Sequence, residues 1–137
     1  MLPESALAFL ALPVKDAGSA QLADELAHAL QEHGLEPFLP TKIAAGDTVP
    51  EAIQSALRRS SVVIADITGR NPNVLFELGV AIGLRKPVLL LSQGSLDDVP
   101  PDLRALQIAV YRPTDLSTVS RYVRLWLRDV LARRGSS

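Results

Sequence analysis

A chain with no cysteine and only two histidines must do any chemistry with carboxylates, hydroxyls and amides. Without thiols there is no disulfide frame, no thiolate zinc site and no cysteine nucleophile. His28 and His33 share one helix-forming segment without metal-ligand partners at useful spacing. Ser60, Ser61, Ser92 and Ser95 have no histidine placed to activate them. Neither a metal centre nor a serine triad is expected. What remains is one concentrated run, Asp66-Ile67-Thr68-Gly69-Arg70-Asn71-Pro72-Asn73-Val74-Leu75-Phe76-Glu77-Leu78-Gly79-Val80-Ala81.

Proline suits the first position of a helix, so Pro72 makes Asn71 the N-cap. Glu77 then falls in the second turn. Helical Cβ bonds tilt towards the N-terminus, which aims its carboxylate back towards the preceding strand ends. Val74, Leu75, Phe76, Leu78, Val80, Ala81 and Ile82 leave this helix no ordinary polar face, and no cation stands four residues from Glu77. A carboxylate in such surroundings needs an explanation. Either it finds a backbone donor or a surface arginine, or it is held in a cleft to attack or stabilise an electron-poor carbon. Asp66 either contacts a ligand or fixes the turn that follows it. Thr68 and Asn73 are turn and cap residues or ligands, and Arg70 is a phosphate contact or a solvated side chain.

The elements that must position these groups alternate along the chain. Leu7–Val14 reads as a buried strand, followed by a helix with Leu22, Leu26, Ala29 and Leu30 on one face and Gly34 at its C-terminal stop. Leu35–Leu39 is a short strand, and Pro50–Arg59 a helix with Ile53, Ala56 and Leu57 inward. Ser61–Ile67 is β-branched without alternation, the pattern of a strand buried on both faces. A helix to about Leu84, a strand at Pro87–Leu91, a surface loop at Ser92–Pro101, a strand at Leu106–Tyr111 and a helix at Asp115–Arg134 complete the order. Repeated strand–loop–helix units predict an α/β fold: a doubly wound, flavodoxin-like or Rossmann-like five-stranded parallel sheet in three layers, one domain over residues 1–137. Ligands in such sheets sit outside the carboxyl ends of the strands. The expected lining is therefore Pro13–Ser19, Ala45–Glu51 and Asp66–Asn73.

The stretch Ser61–Gln93, above all Asp66-Ile-Thr, Asn71-Pro-Asn-Val and Phe76-Glu-Leu-Gly, resembles the nucleoside 2-deoxyribosyltransferase-like superfamily. That group includes deoxynucleoside-monophosphate N-glycosidases and merges with bacterial Toll/interleukin-1-receptor-like proteins. The wider likeness runs from the first strand to the Tyr111 strand. It implies that Glu77 is the catalytic nucleophile, attacking the anomeric carbon as the base departs, in keeping with retaining glycoside chemistry. Asn71 takes the place of an aspartate in the transferases and a serine in the N-glycosidases, both sugar contacts. Glu51 matches the acid that handles the leaving base, with Asp47 one turn earlier as a substitute. Glu51 also suits a first-turn acid answering the helix dipole. Leu10-Ala11-Leu12-Pro13-Val14 departs from the aromatic and Gly-rich stretch the family carries after its first strand.

Composition narrows the partners. Fourteen basic and fifteen acidic side chains leave a net charge of −1, which offers a polyanion no field, and six scattered aromatics build no stacking platform. Nucleic acid is therefore not expected as a partner. The apolar run Ala6–Val14 is shorter than the roughly 20 residues a bilayer-spanning helix needs, so a membrane is not expected either and a cytoplasmic location is. The resemblance implies a nucleoside, nucleotide or NAD as substrate and no metal or organic cofactor. Three functions follow: cleavage of an N-glycosidic bond by hydrolysis or base transfer, NAD cleavage as in the Toll/interleukin-receptor-like variant, or a non-catalytic nucleotide-sensing module. Phe9, Phe38 and Phe76 read as core residues, and Gly79 and Gly83 as points of close packing against the sheet or a partner. A helix apolar on more faces than one sheet can cover predicts a homodimer.

Overall fold

The computed structural model describes residues 6–13, 17–40 and 49–135. Strand β1 (Ala6–Ala11) leads into helix α1 (Ala17–Glu32), then β2 (Leu35–Phe38), α2 (Val49–Arg59), β3 (Ser60–Asp66), α3 (Pro72–Gly83), β4 (Val88–Gln93), β5 (Gln107–Tyr111) and α4 (Leu116–Gly135). Single 3₁₀ turns occupy Thr68–Arg70 and Pro101–Leu103. The five strands are all parallel in the order β2-β1-β3-β4-β5, the doubly wound architecture expected from the alternating pattern. Element ends moved by a few residues: β1 stops at Ala11 instead of reaching Val14, and β4 runs on to Gln93 instead of stopping at Leu91.

Period-two alternation sorts the sheet's side chains into two cores. Leu10, Val62, Ile64, Leu89, Leu91 and Ala109 meet Leu22, Leu26 and Leu30 of α1 and Val123 and Leu127 of α4. Phe9, Val63, Ala65, Ile67 and Leu90 meet Ile53 and Leu57 of α2 and Val74 and Leu78 of α3. Strand β3 lies in the middle and is covered on both faces, which is why it reads as an unbroken apolar run. At one edge, β2 is short and contains Pro37, a residue that a central strand would not accept.

Helix α1 ends where expected, with Gly34 in the left-handed region at φ +76°. The packing of α3 corrects one assignment and narrows another. Phe76 is not a core residue: it is 48% exposed, because the sheet needs only the Val74, Leu78 and Ala81 face. Gly79 and Gly83 do not pack on the sheet either, since a Cβ at either position would meet nothing within 4 Å.

Candidate active site at the carboxyl ends of the strands

Residues 66 and 67 divide the site. Asp66 is in phase with Val62 and Ile64 and belongs to the α1/α4 side, whereas Ile67 joins the α2/α3 core. The Asp66 carboxylate is 2% exposed and accepts three hydrogen bonds. Oδ1 receives the Thr68 backbone N–H at 3.0 Å and the Thr68 hydroxyl at 2.6 Å. Oδ2 receives the Tyr111 hydroxyl from the end of β5 at 2.5 Å. The Thr68 hydroxyl in turn accepts the Gln93 backbone N–H at 2.9 Å. One acid thus ties the ends of β3, β4 and β5 together, and the turn-fixing role left open for it is realised.

The next residues turn sharply. Gly69 and Arg70 both have positive φ, +72° and +52°, which for arginine is a strained conformation costing on the order of 1 kcal/mol. Contacts to the loop after β4 hold it: Gly69 N–H donates to Asp98 Oδ2 at 2.8 Å, and the Arg70 guanidinium donates to the Asp98 and Asp97 carbonyls at 3.2 and 3.3 Å. Arg70 is exposed but engaged as a strap between loops.

Asn71 caps α3 as the sequence predicts, its Oδ1 accepting the N–H groups of Asn73 at 2.9 Å and Val74 at 3.2 Å. That oxygen is committed to the helix. Asn73 is exposed in the first turn. Glu77 follows one turn later on the inner side of α3 and is only 4% exposed. No described residue forms a hydrogen bond or ion pair with its carboxylate. Burial alone pushes its carboxyl up to about 7 from an ordinary 4.5. Near neutral pH this group is divided between the acid and the carboxylate, and no described residue supplies a counter-ion.

A cleft of about 370 Å³ opens at the carboxyl ends of the strands between α1 and α4. Pro13, Asp66 and Thr68 line it together with Gln93, Tyr111 and Leu116. Of the residues marked from sequence, Glu77, Glu51, Asn71 and Asn73 lie outside that lining. Glu51 stands exposed in the first turn of α2. Asp47 and positions 14–16 of the first loop fall outside the described residues. Sequence reading missed Tyr111 and Gln93 as site residues. Tyr111 had one signal, a polar tip on a residue in the buried phase of its strand. Gln93 had none beyond the apolar run of β4, because its place depends on where that strand stops.

Among the described residues no three His, Cys, Asp or Glu side chains cluster as metal ligands, and no helix is long and apolar enough to cross a membrane. His33 Nδ1 lies 2.9 Å from the Ala29 carbonyl, and Arg124 pairs with Glu32 at 2.7 Å, so both serve the helices that carry them.

Solved structures share this architecture. A 2-deoxyribosyltransferase from the psychrotolerant bacterium Bacillus psychrosaccharolyticus superposes with a TM-score of 0.64 at 19% identity, over 84% of this chain and 90% of its own. The CMP N-glycosidase of Clostridium botulinum gives 0.64 at 20% identity, over 85% and 99%. TIR domains of the activated Roq1 resistosome give 0.55 at 17% identity, over 92% and 83%. At these identities the likeness is one of fold. No curated protein matches the sequence. The sequence model described as nucleoside 2-deoxyribosyltransferase matches residues 8–100, a span holding β1 through β4, the Asp66 turn, the capped α3 and Glu77, and on that match this chain belongs to the nucleoside 2-deoxyribosyltransferase family, a family of enzymes.

Proposed function

We propose that this protein cleaves the N-glycosidic bond of a nucleoside or nucleotide, by hydrolysis or by transfer to another base, with Glu77 as nucleophile. The observation that carries the reading is the isolation of Glu77: a buried carboxylate with no described partner, on the helix that the family match includes. In the first step a Glu77 oxygen bonds to the anomeric carbon while the bond from that carbon to the base nitrogen breaks. The electron pair leaves with the base, which takes a proton, and a glycosyl ester remains on Glu77. In the second step water, or the nitrogen of an incoming base, attacks the same carbon and the Glu77 carboxylate departs. Burial keeps this carboxylate poorly solvated and therefore reactive when ionised.

Glu51, on the exposed first turn of α2, and Asp47 are the proposed acids for the leaving base. Asn71 contributes its amide nitrogen to the sugar, since its oxygen caps α3. Asn73 stands beside it as a further sugar contact, and Pro13, Asp66 and Thr68 shape the adjoining cleft. The chain acts as one domain and as a homodimer through the outer face of α3. There Phe76 and Ile82 are 48% and 40% exposed and Gly79 and Gly83 leave room for a second helix. NAD cleavage is the second reading, favoured by the fold shared with TIR domains. A non-catalytic nucleotide sensor is the third, favoured by the commitment of the Asn71 oxygen to the helix.

Incubation with a panel of nucleosides, nucleotides and NAD, followed by chromatography for free base or nicotinamide, tests these readings. Base release from a nucleoside or nucleotide supports the first, and nicotinamide release the second. Binding of a nucleotide without any release makes the protein a sensor.

A further inference from the structure

Of the two strands at the edges of the sheet, β2 is guarded and β5 is not. β2 has four residues, among them Glu36 and Pro37, and a charge and a missing N–H both discourage a further strand. β5 reads Gln107-Ile108-Ala109-Val110-Tyr111, with neither charge nor proline, and Val110 is 43% exposed. Gly94 N–H donates to the Tyr111 carbonyl at 2.8 Å, so the backbone of Tyr111 faces β4, and by alternation that of Gln107 and Ala109 does too. The N–H and C=O groups of Ile108 and Val110 therefore point away from the sheet, and no other described residue bonds to them. Helix α4 continues the same surface. Gln107, Tyr122, Leu125, Trp126 and Asp129 line a groove of about 240 Å³, with Leu125 57% exposed. The Tyr122 hydroxyl donates to Gln107 at 3.2 Å and Asp129 pairs with Arg133 at 2.8 Å, so what the groove leaves unmatched is apolar.

We propose that β5 pairs antiparallel with β5 of a second copy of this chain, about a two-fold axis at Ala109, joining two five-stranded sheets into one. A second copy is the occupant that the strand itself complements. The register that sets Ile108 opposite Val110 gives every outward N–H and C=O of both residues a partner, and it closes the edge on both sides at once. Ala109 then faces its own copy across a non-hydrogen-bonded pair. Ile108 and Val110 of the two copies form one apolar cluster on one face of the joined sheet. On the other face the two α4 helices come side by side, and Leu125 of each copy closes over the groove of the other. The flanks are complementary as well. Asp102 and Arg104 precede the strand and Arg112 and Asp115 follow it, so antiparallel pairing sets an acid and a base of one copy against an acid and a base of the other. This edge is separate from the outer face of α3, a helix that packs over β1 and β3, and it does not depend on the glycosidase reading.

Sedimentation equilibrium of the whole chain, from micromolar concentration upward, tests the pairing. Val110→Lys, which sets a charge on the edge, is expected to halve the mass of the wild-type assembly. Val110→Pro is expected to do the same, because it deletes an outward N–H and no bond to β4. Phe76→Lys, on α3, is expected to remain at least dimeric. The absence of cysteine allows a direct check of register in an otherwise unaltered chain. Cα atoms across a non-hydrogen-bonded pair lie about 4.5 Å apart, inside the roughly 4.4–6.8 Å that a disulfide spans. Ala109→Cys is therefore expected to form a covalent dimer under a mild oxidant, whereas Gln107→Cys, which lies opposite Tyr111 in the same register, is not. The proposal is overturned by equal cross-linking at the two positions, by an unchanged mass in both Val110 variants, or by a monomeric Phe76→Lys protein. A monomeric wild type at submillimolar concentration also overturns it, and leaves the edge to a strand from a different protein.

Discussion

Asp66 and Glu77 are two acids buried to nearly the same depth, 2% and 4% exposed, eleven positions apart on opposite sides of the end of β3. Asp66 accepts three hydrogen bonds from two elements, whereas no described residue donates to Glu77. The consequence shows in the ionisation of Glu77, which burial raises to about 7. Depth alone therefore says little about what a buried acid is for. The one with partners ties strands together, and the one without a described partner is the proposed nucleophile.

Removing each acid in turn should break this contrast most sharply. Glu77→Gln is expected to lower base release by about a thousandfold or more, measured as single-turnover product formation, with the fold intact by circular dichroism. Asp66→Ala should do the opposite. It leaves the Tyr111 hydroxyl and the Thr68 N–H without their acceptor and costs about 2–4 kcal/mol in urea unfolding. An Asp66→Ala protein as stable as wild type would end the structural account of that residue.

The pH dependence sharpens the comparison further. Glu77 has a folded value above its unfolded one, so its protonated form carries no penalty below about pH 4.5 and the ionised form is penalised as pH rises through about 7. Wild type should lose up to about 3 kcal/mol of stability over that window, and Glu77→Gln should lose none of it and be the more stable protein at pH 8. Activity should run the other way, with kcat/KM rising about tenfold per pH unit below 7 and levelling above 8. A flat rate profile across this range would exclude an essential carboxylate of this kind.

Smaller effects are expected around the same two residues. Tyr111→Phe removes one donor from Asp66 and should cost about 1–2 kcal/mol in thermal unfolding, less than the loss of the acid itself. Asn71→Ala should cost about 1 kcal/mol by removing the α3 cap, and Asn71→Asp should restore it. If Asn71 also touches the sugar, Asn71→Ala raises KM beyond what the lost stability explains, and substrate titrations of both variants separate the two roles.

Much of this was legible along the chain, and the residues show why. The β-branched, non-alternating run at β3 announces a strand covered on both faces, and the order of elements follows from its neighbours. Asn71 and Pro72 mark the start of α3 because capping is a contact between residues two and three apart. The isolation of Glu77 was visible as a helix with no polar face. Phe76 was misplaced, and the two α3 glycines were left open between sheet and partner, because an all-apolar helix does not say which side meets the sheet. The partner of Asp66 was invisible, since Tyr111 is 45 positions away in the chain.

Sequence by itself determined the parallel sheet, the α3 cap and the placing of Glu77 on a helix without a polar face, all of them consequences of short-range patterns in residue type. Tertiary structure alone decided that Asp66 is held by Tyr111 from β5, that Gln93 ends β4 at the rim of a cleft, and that the cleft and Glu77 lie on different sides of β3. The physical reason is that side-chain periodicity fixes which face a residue takes, whereas a hydrogen bond across strand ends depends on register between segments that the chain brings together only on folding.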